Sequence, residues 1–316
     1  MALFRAILLR FLYGAISLIF ISFVTFVADA LKPGDPAVII AGEKATPQAL
    51  ANIRHEYGLD QPWPVRYVHF VEGAVHFDFG RSYYGSQEPI GPIIARNLPM
   101  TIKTAMLAIV CASGLGLLFG TIAAIWENRF ADRAMLSIST LGVTVPNFVL
   151  APILMLIFSL QLGWLPLTWE SPLRASQWYY LVLPVVCLAA RPMASLTRLT
   201  RASMIDTLQQ EFIRTATAKG VPPLSLYVRH ALRNAILPVV TAIGTNFGYL
   251  LTGSFVIERA FLLPGIGRET IEAIQQGNTP VIQACILLTG AIFITVNLIV
   301  DLMLPLLDPR IREGQV

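Results

Sequence analysis

Charge is what this sequence has least of. Only 13% of its 316 residues are charged, 55% are hydrophobic, and the mean hydropathy is +0.65. A soluble domain carries about 25% charged residues, so much of this surface must face an apolar solvent. The length divides into membrane spans of about 20 residues rather than into soluble domains. Cysteine is scarce too. Cys111, Cys187 and Cys285 each lie in an apolar stretch, and an odd count there excludes a disulfide framework and any zinc spacing; they read as small buried hydrophobes. The alternating segments of about ten residues that build a membrane β-barrel are absent. No Gly-x-x-x-x-Gly-Lys-Ser/Thr loop occurs, so nothing cradles a nucleotide phosphate. His55-Glu56 is not followed by a second His at zinc-protease spacing, and no His sits in mid-span to serve a Ser–His hydrolase. The net charge of +4 is not gathered into one run, which leaves no case for nucleic acid.

Apolar stretches are abundant. Arg5 and Arg10 precede the first, 11–28. Ala28-Asp29-Ala30 resembles a cleavage site, but the run exceeds the 7–15 residues or so of a signal-peptide core and is read as a retained span. Five more uncharged stretches follow: 104–126, 134–169, 179–190, 235–257 and 273–300. In lipid the backbone must satisfy its own hydrogen bonds, so these are helices. The expected fold is all-α and integral to the membrane, with six spanning helices. Pro146 and Pro152 predict a kink in the third, and 163–166 starts the loop after it. Trp164, Trp169, Trp178, Tyr179 and Tyr180 around that loop suit the headgroup level. Asp29 and Asp301 are read as interfacial.

Orientation follows from Lys and Arg. The segment 198–235 holds Arg198, Arg201, Arg214, Lys219, Arg229 and Arg233, whereas 163–178 holds only Arg174. In 258–279, Glu258, Glu269 and Glu272 outweigh Arg259 and Arg268. The charge rule places 198–235 and both termini in the cytoplasm. The expected organisation is a first helix within 1–31 and an extracytoplasmic subdomain at 32–98. A five-helix transmembrane domain at 99–305, carrying a loop at 200–238, and a cytoplasmic tail at 306–316 complete it. The outer segment mixes prolines with Trp63, Tyr67, Phe70, Phe77 and Phe79, and short helices are expected near 47–57 and 64–75.

The connection 198–235 is longer than two membrane helices need. Residues 204–218 read as one helix, Gly220 suits a left-handed cap, and Pro222-Pro223 forbids continuation. A second helix runs from about Leu224 into the membrane through Pro238. Such an elbow is either a solvated basic loop or a docking surface for a cytoplasmic partner.

Glu211-Phe-Ile-Arg-Thr-Ala-Thr-Ala-Lys-Gly220, followed by Arg229-His-Ala-Leu-Arg-Asn-Ala-Ile-Leu-Pro238, resembles the "EAA" loop of ABC importer permeases. Glu211, Ala216, Ala218, Gly220, Leu237 and Pro238 match; Phe212 and Ile213 depart from the two alanines that name the loop. The likeness extends along the chain through Pro33-Gly34-Asp35-Pro36, Tyr57-Gly58-Leu59-Asp60-Gln61-Pro62, Asp78-Phe79-Gly80-x-Ser82, Gly253-Ser254-Phe255-Val256-Ile257-Glu258, Phe261-x-x-Pro264-Gly265-Ile266-Gly267 and Leu307-Asp308-Pro309-Arg310. Together these resemble the B-type permease subunit of dipeptide, oligopeptide and nickel importers. Phe77 stands where that family usually has Gly, which puts the local turn in question.

The resemblance implies a chain that is no enzyme and holds no cofactor. ATP and Mg would be bound by two cytoplasmic ATPase subunits docked on Glu211, Ala216, Ala218, Lys219, Gly220, Val221, Pro222 and Leu224. A second homologous permease would share the path, an extracytoplasmic binding protein would deliver the cargo, and lipid would surround the spans. Di- or oligopeptides are the expected cargo, with nickel, glutathione and opine-like solutes as alternatives.

Other residues remain open on the sequence alone. Arg191 is costly at membrane depth; it either lines the translocation path or snorkels to the interface near Arg198. Gly116-x-x-x-Gly120 and Gly244-x-x-x-Gly248 permit close helix approach, within this chain or to another. His69, His76 and Asp78 could ligate nickel, but ordinary packing is the stronger reading. An ion-driven transporter would need more ionisable residues near the midplane than Arg191, and a membrane enzyme lacks its catalytic set.

Overall fold

The computed structural model describes residues 2–31, 34–42, 45–84, 87–171 and 176–307. Among them the elements are helices α1 (Ala2–Ala30), α2 (Pro36–Ala41), α3 (Pro47–Glu56), α4 (Trp63–Val75), α5 (Ile90–Ile125), α6 (Phe130–Thr144), α7 (Asn147–Leu154), α8 (Gln177–Leu208), α9 (Glu211–Ala218), α10 (Pro223–Ser225), α11 (Arg233–Ala260), α12 (Ile266–Gln276) and α13 (Thr279–Leu307). Wider π-helical turns continue α7 over Met155–Gln161 and join α10 to α11 over Leu226–Leu232. One isolated bridge pairs Arg81 with Pro89. Lys32, Pro33, Glu43, Arg174 and the Asp308-Pro309-Arg310 motif with the tail beyond it lie outside the described residues.

The fold is all-α and integral to the membrane. Among the described residues, five helices are long and apolar enough to cross, and α6 with α7 makes a sixth if that pair is one span. Three expectations need correction. The third apolar stretch is not a kinked helix: α6 and α7 meet at 105°. Pro146 has no N–H to extend α6, and it holds Val145 extended at φ −90°, ψ 118°. The stretch 273–300 is broken at Gly277, whose φ of +71° ends α12 before α13 starts. The single helix expected over 204–218 is two, because Gln210 is extended at φ −77°, ψ 150°. Helix propensity sustains neither run where the chain must turn a new face inward. Both short helices expected in the outer segment are present, as α3 and α4.

The chain forms two compact units, 3–101 with 264–294, and 102–263 with 295 onward. In the first unit, Ile90, Ile93, Ile94, Ile266, Ala273 and Val281 form a buried core. Tyr67 of α4 sits against α1, its hydroxyl 2.9 Å from Ser22 Oγ and its ring edge-on to Phe26 at 5.3 Å. Asp35 caps α2, accepting from Ala37 N at 2.9 Å, and binds Arg54 of α3. Asn278 accepts from Tyr83 N at 3.0 Å and donates to Ser82 at 2.8 Å, while Thr279 donates to Asp29 Oδ1 at 2.6 Å. Asp29, read as interfacial, is therefore also a tether for the start of α13.

In the second unit, small residues set the helix spacing. A Cβ on Gly120 would lie 2.5 Å from Thr200 Cβ, and one on Gly116 2.7 Å from Leu196 Cβ. The Gly116/Gly120 face thus packs against α8 of this same chain. Gly142 of α6 meets the backbone of Ala190, and Gly244 of α11 meets Val300. No methyl group fits at any of the four without displacement.

Candidate functional site

The elbow is built on α9. Ile213 and Ala216, one turn apart, are buried with Met204, Leu226, Ala231 and Ala235, and Val221 packs against the same cluster. The end of α9 is fixed by backbone alone. Gly220 N donates to Thr217 O at 3.0 Å and Val221 N to Ala216 O at 3.2 Å, the paired bonds of a Schellman cap. The cap requires a left-handed residue, and Gly220 has φ +76° with open space around its Cα. Pro222 then starts a new helical direction, at φ −56°, ψ 141°.

Of the residues singled out in the sequence, Glu211 is exposed and pairs with Arg214 at 2.8 Å. Ala218, Lys219, Gly220, Pro222 and Leu224 are exposed, and Val221 is half-buried. Ala216 is not on the outer surface; it anchors α9 to its own unit. Leu224 is 76% exposed, and Phe212 is also exposed. The elbow therefore offers two apolar side chains to solvent on a base held by packing.

Asp132 escaped the reading of the sequence. It is 3% exposed and takes a two-pronged grip from Arg201 of α8, Nε to Oδ1 at 2.7 Å and Nη2 to Oδ2 at 2.8 Å. It also accepts from Asn128 N at 2.8 Å. Arg201, counted only as a marker of orientation, thus ties α8, just ahead of the elbow, to the start of α6. The available signal was an acid beside the start of a long uncharged stretch.

A cavity of about 590 Å³ opens between α6, α7, α8 and α11, with Arg191, Ser195 and Arg198 of α8 on one side and Asn147, Asn246 and Tyr249 across from them. Seven residues separate the two arginines, about 10 Å along the helix, and Ser195 lies between them on the same face. Among the described residues, no carboxylate lines the cavity. Elsewhere, His76 Nδ1 lies 2.9 Å from Glu72 O in its own helix, and His55 Nδ1 lies 3.1 Å from Asp60. Among the described residues, no three His, Cys, Asp or Glu side chains gather to hold a metal ion.

The profile of the family described as "Binding-protein-dependent transport system inner membrane component" matches residues 116–313, and that family's N-terminal membrane-component profile matches residues 3–105. The glutathione transport system permease protein GsiC of Escherichia coli (strain K12) is 40% identical over 302 residues, 95% of this chain and 97% of that protein. A protein of Brucella abortus (strain 2308), named as a peptide transport system permease, is 39% identical over 298 residues, 93% of this chain and 95% of that one. A crystal structure of an amino acid ABC transporter with histidines is similar in fold, with a TM-score of 0.50 at 18% identity, covering 69% of this chain and 94% of that one. With both profiles matched and relatives alike from end to end, the chain belongs to the inner membrane components of binding-protein-dependent transport systems.

Proposed function

We propose that this chain is one of two homologous permease subunits that together form the translocation path of an ATP-driven importer of di- or oligopeptides. Two cytoplasmic subunits bind ATP and Mg, and one of them docks on this chain's elbow around Glu211, Ala218, Lys219, Gly220, Pro222 and Leu224; an extracytoplasmic binding protein delivers the cargo. Both termini and the elbow are cytoplasmic in this reading, and segment 32–98 is outside. The observation that carries it is the elbow: exposed Phe212 on α9, a helix fixed by a backbone cap and an inward face, and exposed Leu224 in α10 just past that cap. Charge alone gives a solvated loop; a rigid element with apolar tips is what a partner needs in order to push. Peptide cargo is supported by the relatives named for peptide and glutathione transport.

The test is a cysteine at Leu224 in a chain lacking Cys111, Cys187 and Cys285. In membranes carrying the whole transporter it should crosslink to the ATP-binding subunit, and vesicle uptake of trialanine should require ATP. Uptake driven by an ion gradient without ATP, or a position 224 that an impermeant thiol reagent reaches from outside intact cells, would end this reading.

A further inference from the structure

We propose that Arg191 and Arg198 form a carboxylate-binding subsite in the second unit, so that the cargo of this permease is anionic at one end at least. The inference rests on the importer reading above and adds the chemical class of the cargo. An arginine stays charged in any protein environment, and at membrane depth it faces water or a partner group. Two of them share the cavity, one about two helical turns from the other, with no carboxylate along its wall among the described residues. Nor does any acidic side chain among the described residues pair with either. The contrast is with Arg201, one turn beyond Arg198 on the same helix, which is neutralised by Asp132. Among the described residues, the chain therefore supplies a counter-charge to the arginine that ties helices together and none to the two that line the cavity.

The cavity's size and lining fit a small polar ligand. Its volume of about 590 Å³ lies within the 300–1,000 Å³ or so of small-molecule sites. A guanidinium takes a carboxylate through two parallel N–H···O bonds, and Ser195, Asn147 and Asn246 offer neutral hydrogen-bonding groups to the remaining amide and amine groups of a peptide. A bare metal dication is opposed by the same two charges, so an uncomplexed nickel ion does not suit this cavity.

The test uses the complete transporter in membrane vesicles, with Cys111, Cys187 and Cys285 replaced and Ser195→Cys introduced between the arginines. The labelling rate of that thiol is compared for the anionic sulfonatoethyl and the cationic trimethylammonioethyl methanethiosulfonates. Two unneutralised arginines should favour the anionic reagent by about tenfold or more. Arg191→Gln with Arg198→Gln should bring the ratio near unity, while Arg191→Lys with Arg198→Lys should keep most of it, which separates charge from misfolding. Trialanine should slow the labelling and its C-terminal amide should not. A ratio near unity in the parent, as acids of the companion subunit in contact with the arginines would give, overturns the subsite; so does equal protection by the two peptides. If vesicles carrying the transporter with Ser195 intact fail to accumulate trialanine with ATP, the peptide reading falls, and the reagent ratio still decides whether the arginines form an anion site.

Discussion

Phe77 shows how far one residue can depart from what its backbone asks for. It sits at φ +59°, one position past the end-cap of α4. There Asp78 N bonds Gly73 O at 2.8 Å and Phe77 N bonds Ala74 O at 3.2 Å. These are the same two bonds that close α9 at Gly220, so the turn in question from the sequence is formed, with a bulky residue where glycine is unstrained. The left-handed region costs a residue with a Cβ about 1–2 kcal/mol. Phe77 is 75% exposed and its replacement leaves no hole. Phe77→Gly should therefore raise stability by about 1 kcal/mol, after the extra freedom of the unfolded glycine is subtracted, read as a higher thermal unfolding midpoint of the purified chain. A lower midpoint would mean that the ring's outward contacts outweigh the strain. At this scale the sequence was informative about Gly220, because a glycine just past a helix-forming run that Pro222-Pro223 stops suits a left-handed cap. It was silent about Asp132, whose partner lies 69 positions away in a helix that composition alone does not place beside it.

Among the elements, α2 and α3 are held by ions as well as by packing. The Arg54 guanidinium beside Asp35 holds its carboxyl below the ordinary carboxylate value of 3.8, with the Ala37 N–H helping and partial burial opposing. A carboxyl with a lowered folded pKa contributes stability that is complete above its unfolded value and is lost as pH falls through the folded one. The segment should thus hold its structure at neutral pH and loosen as the medium falls below about pH 4. Because the pair is partly open to water, the effect should be under about 1 kcal/mol. Asp35→Asn should flatten the acid limb of unfolding midpoint against pH; an unchanged limb would show that other carboxyls set it. Elements were legible where apolar pattern and capping agreed, as with Pro47 after Thr46 at the start of α3. They were misread where an unbroken apolar or helix-forming run concealed a turn. Pro146 ends α6 through its missing N–H and its hold on Val145, while Gln210 and Gly277 break their runs where the chain turns a new face inward. The second glycine pair illustrates the same limit: spacing nominated a close approach at Gly244, and only the packed structure names Val300 as its partner.

For the whole molecule, hydropathy and the charge rule were enough to define an all-α membrane protein, and the long loop with its cap was enough to single out the elbow. The cavity was not legible, since it is closed by α7 and α11, which lie far from Arg191 in sequence, and Arg198 read as interfacial charge. The central claim is that work done by ATP-binding partners enters the membrane helices through the capped elbow. Its rigidity depends on Gly220, which has open space around it, so a larger side chain there strains only the backbone, by about 1–2 kcal/mol. The most direct measurement is the ATPase activity of the reconstituted Gly220→Val transporter, with and without loaded binding protein, alongside uptake. The account predicts normal membrane abundance, a sharp loss of uptake, and an ATPase that either leaves the complex or no longer responds to the loaded binding protein. Stimulated hydrolysis and uptake equal to those of the parent would contradict it.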